Sequence, residues 1–224
     1  MQIGRTTIVV SVGRRAGPAY DRYYNPRAPD RPEPLQARPM KAILREIPES
    51  VYSERLLLRV PRPGDGKLIN DALRESYEEL HPWMPFARSV PPVDDTEEYC
   101  RNAYAAFIRR ERWPLIGLLR TTGEFVVSTG LHDIDWDVPR FEIGYWVRTP
   151  YSGQGFVTEV VNRLTEMAFQ DYGARRVCIR MDDRNERSWR VAERCGFQLE
   201  GIARNDAIAN DGSIRSMRTY SKVA

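Results

Sequence analysis

The chain has 224 residues, of which 42% are hydrophobic and 29% are charged, a composition typical of a soluble globular protein. No apolar run approaches the roughly 18 residues that a membrane-spanning helix needs, so we expect no membrane partner. The net charge is +3, but residues 1–39 carry +4 and the remaining residues −1. Because the positive charge belongs to the first segment, it does not indicate a nucleic-acid-binding domain.

Cysteines and histidines are few. Cys100, Cys178 and Cys195 are odd in number and widely spaced, which favours reduced thiols in a cytosolic chain over disulfides or a zinc site. His81 and His132 are the two histidines, so a histidine-rich metal centre is excluded and no metal is expected. The apolar run at residues 7–10 is too short for a signal peptide. These features predict a cytoplasmic protein.

Residues 1–39 contain seven arginines and six prolines, without sustained apolar periodicity after Val12. This composition predicts a disordered basic extension, followed by one domain over residues 40–224. Two alternatives concern the extension. Translation from Met40 would exclude it from the protein, and a basic arm would contact an acidic partner.

The first half of the domain begins with a predicted strand at 55–60, closed by Pro61 and Pro63. A helix is predicted at 65–80, followed by a rigid aromatic loop at 81–86. Asp94 or Asp95 is expected to cap a second helix that ends near residue 112. Strands are then predicted at 113–120, 125–131 and 141–148.

The second half begins with Gly153 and Gly155, which separate the last of these strands from an amphipathic helix at 156–172. A strand at 176–181, a helix at 185–195 and a hairpin formed by 197–207 and 213–221 complete the domain. This order predicts a mixed α/β layer with meander and crossover connections.

The Gly-x-Gly turn between a strand and a helix is the most specific local feature. Glycine lets the backbone turn tightly, and a helix start offers unpaired amides and a partial positive charge to a pyrophosphate. The sequence fits neither a P-loop, because no lysine follows Gly155, nor a three-glycine dinucleotide fingerprint. Taken alone, the turn is equally compatible with an ordinary connection.

Several ordered motifs closely resemble the GCN5-related N-acetyltransferase (GNAT) superfamily, in particular its RimJ/RimL-like subgroup, which acetylates ribosomal-protein N-termini. The motifs are EIGYWV at 142–147, PYSGQGFVTE at 150–159, NERS at 185–188, CGF at 195–197 and EG at 200–201. RLLLR at 55–59 and PWMP at 82–85 also resemble that subgroup. The resemblance implies an α/β (α+β) fold with a mixed, mostly antiparallel sheet of about seven strands. This sheet is splayed at the cofactor site and flanked by about four helices.

The resemblance also implies an acyltransferase that moves acetyl from acetyl-CoA to a primary amine by direct attack. The family's phosphate-loop pattern falls on residues 152–157, where Ser152 replaces Gln/Arg and Val157 replaces a small residue. The expected cofactor contacts are backbone groups of Trp146, Val147 and Arg148, the amides of Gly153, Gln154, Gly155, Phe156, Val157 and Thr158, and the side chain of Thr158. Val157 is expected to push the phosphates slightly outward.

The same resemblance suggests catalytic residues. Glu142 is the first candidate base, directly or through water, and His132 is the second. By this resemblance, Asn185 is expected to bond the pantetheine and Ser188 to approach the sulfur, whereas Ala192 stands where many family members have a tyrosine. Ordinary structural roles remain open for Glu142, His132 and Ser188. Cys195 is interpreted as a core residue.

The acceptor groove is expected opposite the cofactor, between the two early helices and the closing hairpin. Trp83, Met84 and Phe86 would line it, with Trp136 or Tyr145. The lack of an obvious strong base favours a peptide α-amine, whose pKa is about 8, over a lysine amine near 10. Alternatives are acetylation of a small amine (polyamine, amino acid or antibiotic) and a non-catalytic acyl-CoA-binding module. A monomer and a homodimer are both compatible with the sequence.

Overall fold

The computed structural model describes residues 40–224, which form one eight-stranded sheet flanked by helices. The strand order is β1-β2-β3-β4-β5-β6-β8-β7, and every pair is antiparallel except β5 with β6. The strands are β1 (Ser50–Tyr52), β2 (Leu56–Arg59), β3 (Trp113–Leu119), β4 (Phe125–Asp135), β5 (Arg140–Val147), β6 (Arg176–Asp182), β7 (Gln198–Ile208) and β8 (Ile214–Val223).

Five α-helices accompany the sheet in the described residues. They are α1 (Gly66–Glu75), α2 (Tyr77–Leu80), α3 (Val93–Ile108), α4 (Phe156–Gln170) and α5 (Glu186–Arg194). Helix α4 buries Val160, Val161 and Leu164 against the sheet, because these residues recur at helical spacing on one face. The mixed, mostly antiparallel fold predicted from the sequence is confirmed. No helix in the described part of the chain is long and apolar enough to cross a membrane.

The parallel pairing of β5 with β6 is short. It comprises Arg140–Arg176, Phe141–Val177 and Glu142–Cys178, although β5 continues to Val147 and β6 to Asp182. β6 remains paired with β8 along its whole length, so the two central strands part beyond Glu142. The sheet is therefore splayed immediately before the Gly-x-Gly turn.

Several element boundaries differ from the sequence-based predictions. The predicted helix at 65–80 is broken at Ser76, a buried residue whose hydroxyl accepts a hydrogen bond from the Thr149 amide at 2.9 Å. Helix α3 begins at Val93 without a side-chain cap and ends at Ile108, so the predicted cap by Asp94 or Asp95 is wrong. The three-residue strand β1 was not predicted, because it is too short to show a period.

The other predicted elements differ by a few residues at their ends, except that β4 extends to Asp135 rather than ending at Leu131. The predicted disorder of residues 1–39 lies outside the described residues.

Candidate active site

The backbone of β5 offers hydrogen-bonding groups to the gap beside β6. The Arg148 amide donates to the Val126 carbonyl on β4 at 2.8 Å. Since backbone groups alternate between the two edges of a strand, those of Trp146 also face β4, whereas those of Tyr145 and Val147 face the gap. The prediction of free backbone groups at Arg148 and Trp146 is therefore wrong. Val147 keeps its predicted position, and Tyr145 joins it.

A cleft of about 760 Å³ opens at this gap, and we call it the cofactor cleft. It brings together most of the predicted site residues: Trp83, Met84, Tyr145, Trp146, Val147, Ser152, Gly153, Gly155, Phe156, Val157, Thr158, Asn185 and Ser188. Arg148, Gln154, Phe86, His132 and Glu142 do not line it. The strand gap, the glycine turn and the start of α5 thus form one continuous site.

The glycine turn has the backbone conformation that an anion site requires. Gly153 and Gly155 have φ values of +75° and +81°, in the left-handed region that favours glycine. The Ser152 amide is occupied, because it donates to the Thr149 carbonyl at 3.0 Å. Within the described residues no protein acceptor pairs with the amides of residues 153–158. These amides and the positive end of α4 together favour a bound phosphate.

Arg55 holds the turn in place, although sequence reasoning gave it no role. Its guanidinium contacts Glu159 in the first turn of α4 (Nε–Oε2, 2.6 Å), donates to the Gln154 carbonyl at 3.0 Å and lies over the Phe156 ring. Burial acts to raise the pKa of Glu159, but hydrogen bonds from Ser53 and Arg55 hold it below its usual value. Glu159 therefore stays ionised, and the positive charge of Arg55 compensates its negative charge beside a site for anions.

Tyr145 and Ser188 meet across the cofactor cleft. The Tyr145 hydroxyl donates to the Ser188 carbonyl at 3.1 Å and lies 3.0 Å from the Ser188 Oγ. Asn185 caps α5, because its Oδ1 accepts the Ser188 amide at 3.1 Å, so a bond to pantetheine would come from Nδ2. Burial raises the pKa of Tyr145 to about 12, so the phenol stays protonated at neutral pH.

Glu142 and His132 face each other on β5 and β4 at the point where the sheet splays. The His132 Nε2 lies 4.0 Å from the Glu142 Oε1, and the His132 Nδ1 lies 3.0 Å from the Asp133 Oδ2. Asp133 has a φ of +47°, within the irregularity that interrupts β4 pairing. Burial raises the pKa of Glu142, while the nearby His132 opposes that shift. Asp133 thus orients the imidazole toward Glu142, a role that the sequence did not reveal.

Glu142 lines a second cavity of about 750 Å³, which we call the sheet groove. Its walls come from β4, β5, β6, β7 and β8: Asp133, Arg140, Phe141, Glu142, Arg176, Cys178, Arg180, Glu200, Gly201, Ile202, Ala203 and Thr219. All three of its arginines already have acidic partners, Arg140 with Asp135, Arg176 with Glu200 and Arg180 with Asp206. Within the described residues no arginine forms an ion pair with Glu142, whose carboxylate remains available to a cation.

The sheet separates the two sets of polar groups. Side chains alternate between faces along β5, so Glu142 lies on the opposite face from Ile143 and Tyr145. Glu142 therefore faces the sheet groove, whereas Tyr145 and Ser188 face each other in the cofactor cleft. This arrangement allows a nucleophile to approach from one face while a leaving group is met on the other.

The aromatic residues predicted to line the acceptor groove are distributed differently. Trp83 and Met84 line the cofactor cleft, and Phe86 is exposed, with its ring 6.5 Å from that of Trp146. Trp136 packs edge-on against Phe141 and under the Arg45 guanidinium, away from both cavities described above. Of the two predicted alternatives, Trp136 and Tyr145, it is Tyr145 that lines the cofactor cleft, because the Trp136 ring packs against the core.

The loop at 81–86 contacts the closing hairpin through side-chain hydrogen bonds. The Asn210 side chain donates to the His81 and Met84 carbonyls at 2.6 and 2.9 Å. The buried Arg215 donates to the Trp83 carbonyl at 3.1 Å. These bonds fix Trp83 and Met84 in the wall of the cofactor cleft.

The structure disfavours two other kinds of chemistry at these residues. Cys195 is buried in the core, and burial raises the pKa of its thiol, which confirms its interpretation as a packing residue. His132, Asp133 and Glu142 have ligand atoms within 4.8 Å of one another, close enough to bind a cation. Because the two imidazole nitrogens face different carboxylates, the arrangement suits proton transfer better than ligation by one histidine nitrogen.

Comparison with known proteins identifies the family. Residues 55–198 match the model of the acetyltransferase (GNAT) domain. YdaF of Bacillus subtilis (strain 168), named for ribosomal N-acetylation, is 29% identical over 161 residues, which cover 70% of this chain and 86% of YdaF.

Two solved structures share the fold. The microcin C7 self-immunity acetyltransferase MccE, in complex with acetyl-CoA and AMP, superposes with a TM-score of 0.73 and 22% identity over 80% of this chain and 98% of MccE. RimL, the ribosomal L7/L12 α-N-protein acetyltransferase in complex with coenzyme A, superposes with a TM-score of 0.73 and 19% identity. The match covers 78% of this chain and 98% of RimL.

The chain belongs to the GNAT acetyltransferase family, since the family model spans more than half of it. It is an N-acetyltransferase whose co-substrate is acetyl-CoA. The residues present fit this ligand: the free amides of 153–158 suit its pyrophosphate, and the gap beside Tyr145 and Val147 suits its amide-bearing pantetheine arm.

Arg55→Ala is expected to weaken coenzyme A binding roughly tenfold, because it frees the turn and leaves the Glu159 carboxylate without its cationic partner near the phosphates. Titration calorimetry measures the affinity. Arg120→Ala removes an exposed arginine from the same sheet edge and serves as the control. Equal affinities for the two variants would contradict the role of Arg55.

Proposed function

We propose that this enzyme acetylates the α-amine of a peptide or protein N-terminus by direct attack on acetyl-CoA. The observation that carries the proposal is Glu142, which lines the sheet groove at the vertex of the splayed strands with His132 beside it. An amine that enters by this groove reaches the thioester from the face opposite Ser188. The proposed catalytic residues are Glu142 and Ser188.

The amine must lose a proton before it attacks. An α-amine has a pKa of about 8 and is mostly protonated at pH 7, so a carboxylate within reach accelerates the reaction by accepting that proton. Burial raises the pKa of Glu142 toward that of the amine, which improves it as a base. His132, oriented by Asp133, is placed to relay the proton to solvent.

The two other charges of the reaction develop on the cofactor. Donation from a backbone amide of β5 that faces the gap, Tyr145 or Val147, stabilises the oxyanion. The Ser188 hydroxyl donates to the departing thiolate, while its Oγ accepts from the Tyr145 hydroxyl 3.0 Å away. Tyr145 supports this step as a hydrogen-bond partner, since a phenol with a pKa near 12 is a poor acid for a thiolate.

The acceptor class is supported by similarity and by shape. YdaF is named a ribosomal N-acetyltransferase, and RimL is named a ribosomal L7/L12 α-N-protein acetyltransferase. The sheet groove is lined by five strands and is open to solvent, so it has room for an extended chain beyond its first residue. Ribosomal acceptors would place the enzyme in the cytoplasm, in agreement with its three unpaired cysteines.

Mass spectrometry of peptides incubated with enzyme and acetyl-CoA tests this proposal. We expect acetylation of peptides with a free α-amine and none of the same peptides with a blocked N-terminus and one free lysine. Polyamines and aminoglycosides form the comparison panel. Faster turnover of any of these small amines, or coenzyme A binding without turnover of any amine, would overturn the proposal.

Ser188→Ala is expected to lower kcat about three- to tenfold with little change in KM, because it removes a hydrogen bond made mainly to the departing thiolate. Release of free thiol, followed with a chromogenic disulfide, measures this effect. Tyr145→Phe keeps the ring and removes the partner hydroxyl, so a smaller effect is expected. An unchanged kcat in Ser188→Ala would exclude the serine from thiol release.

A further inference from the structure

Helix α5 presents a row of arginines to the cofactor cleft. Arg187, Arg190 and Arg194 are spaced by three and four residues, so they share one face of the helix. All three are exposed, and all three line the cleft. Among the cleft-lining residues of the described chain, Glu79 is the single acid. This wall therefore carries an excess of positive charge.

The helix runs along the length of the cleft. Its first turn lies at the thioester end, where Ser188 meets Tyr145. Its last turn lies beside the phosphate turn, because the Cys195 thiol contacts the Thr158 carbonyl in the first turn of α4 at 3.7 Å. Arg194 is therefore the arginine of the row at the phosphate end, and Arg187 is the one at the thioester end.

Coenzyme A carries phosphate at two separate positions, as a pyrophosphate and as a single 3′-phosphate. Proceeding from the sulfur, pantetheine is followed by the pyrophosphate and then by a ribose that bears a separate 3′-phosphate. The amides of residues 153–158 are suited to the pyrophosphate, but they do not account for the second group, a monoester with a charge near −2 at neutral pH.

We propose that Arg194, with Arg190, binds the 3′-phosphate of coenzyme A, so that the enzyme distinguishes the 3′-phosphorylated cofactor from its dephospho form. A guanidinium matches the geometry of a phosphate and is permanently charged. Arg190 already contacts Glu186 at 2.9 Å, but both side chains are mostly exposed, and such pairs contribute little. A doubly charged phosphate competes effectively for Arg190.

Calorimetric titration with coenzyme A and with 3′-dephospho-coenzyme A tests the proposal without any acceptor or turnover. We expect the wild-type protein to bind coenzyme A about tenfold more tightly, since one charge-assisted contact at an exposed site has about this value. Arg194→Ala should lose most of that preference by weakening coenzyme A binding alone. Arg190→Ala should lose part of it, and added salt should reduce it in the wild type.

Arg187→Ala is the matched control, because it removes the same charge from the same helix face at the thioester end. We expect it to change both affinities by the same factor. Equal wild-type affinities for the two ligands, or equal weakening of both by Arg194→Ala, would overturn the proposal. Since the titration uses no amine, its failure is separate from a failure of the proposed acceptor class.

Discussion

Gly155→Val is expected to weaken coenzyme A binding at least about 100-fold while the domain stays folded. Gly155 precedes α4 with a φ of +81°, a conformation that a β-branched residue strongly disfavours. The turn would therefore reorganise, and several amides directed at the pyrophosphate would move together. Loss of two charge-assisted hydrogen bonds is enough for a change of this size.

Gly173→Val provides the matched control for backbone strain. Gly173 follows the other end of α4 with a φ of +64°, and a Cβ there meets no atom within 4 Å. Both variants should lose about 1–2 kcal/mol of folding free energy, measured by chemical denaturation. Only the Gly155 variant should lose coenzyme A binding in calorimetry. Comparable losses of binding in both variants would show that the turn has no specific role.

Glu142→Gln is expected to lower kcat/KM for a peptide acceptor roughly 100-fold at pH 6.5, because general-base catalysis typically contributes this much or more. The wild-type rate should rise as the pH passes the raised pKa of Glu142, since only the ionised carboxylate accepts a proton. The rate of the variant should not show this rise with pH. Near pH 9 the α-amine is already neutral, so the difference should shrink.

Glu200→Gln serves as the control, because it removes the same charge from the same groove. A hydrogen bond from Arg176 lowers the pKa of Glu200 to about 2, so this carboxylate does not titrate in the working range. Its variant should keep the shape of the wild-type pH profile. A wild-type profile in Glu142→Gln would remove Glu142 from the role of base.

Stability should change in the opposite direction from activity in Glu142→Gln. Burial raises the pKa of Glu142 above its unfolded value, so folding favours the protonated form. The contribution is present at low pH and is lost as the pH rises through the raised pKa. At pH 7 the ionised carboxylate therefore costs folding free energy, and glutamine should give an equal or higher melting temperature. A lower one would mean that the rate loss reflects structural damage.

Local patterns predicted much of this fold. Gly153 and Gly155 indicated the phosphate turn because glycine is favoured where φ is positive. The helical spacing of apolar residues predicted α4. Boundaries were less predictable where tertiary contacts decide them. Ser76 interrupts a continuous helical pattern because its hydroxyl accepts a hydrogen bond from the distant Thr149.

The candidate site was predictable where one strand or helix carries it, and less so where distant segments meet. The contact between Arg55 and Glu159 joins residues 104 positions apart, and no periodicity in the sequence predicts it. Asp133 acts through a local irregularity of β4 that no pattern in the sequence indicates. Likewise, the alternation of backbone groups along a strand does not tell whether the Arg148 amide faces β4 or the gap beside β6. The pairing register with β4 decides this, and it directs the amide to Val126.

A crystal structure of the protein with coenzyme A tests the account most directly. We expect pantetheine to be hydrogen-bonded to the main chain of Tyr145 and Val147 in the gap between β5 and β6. The pyrophosphate oxygens should lie about 3 Å from amides of residues 153–158. The sulfur should lie beside Ser188, and Glu142 should face it across the sheet. A ligand bound outside this gap, or β6 paired with β5 as far as Val147, would contradict the account.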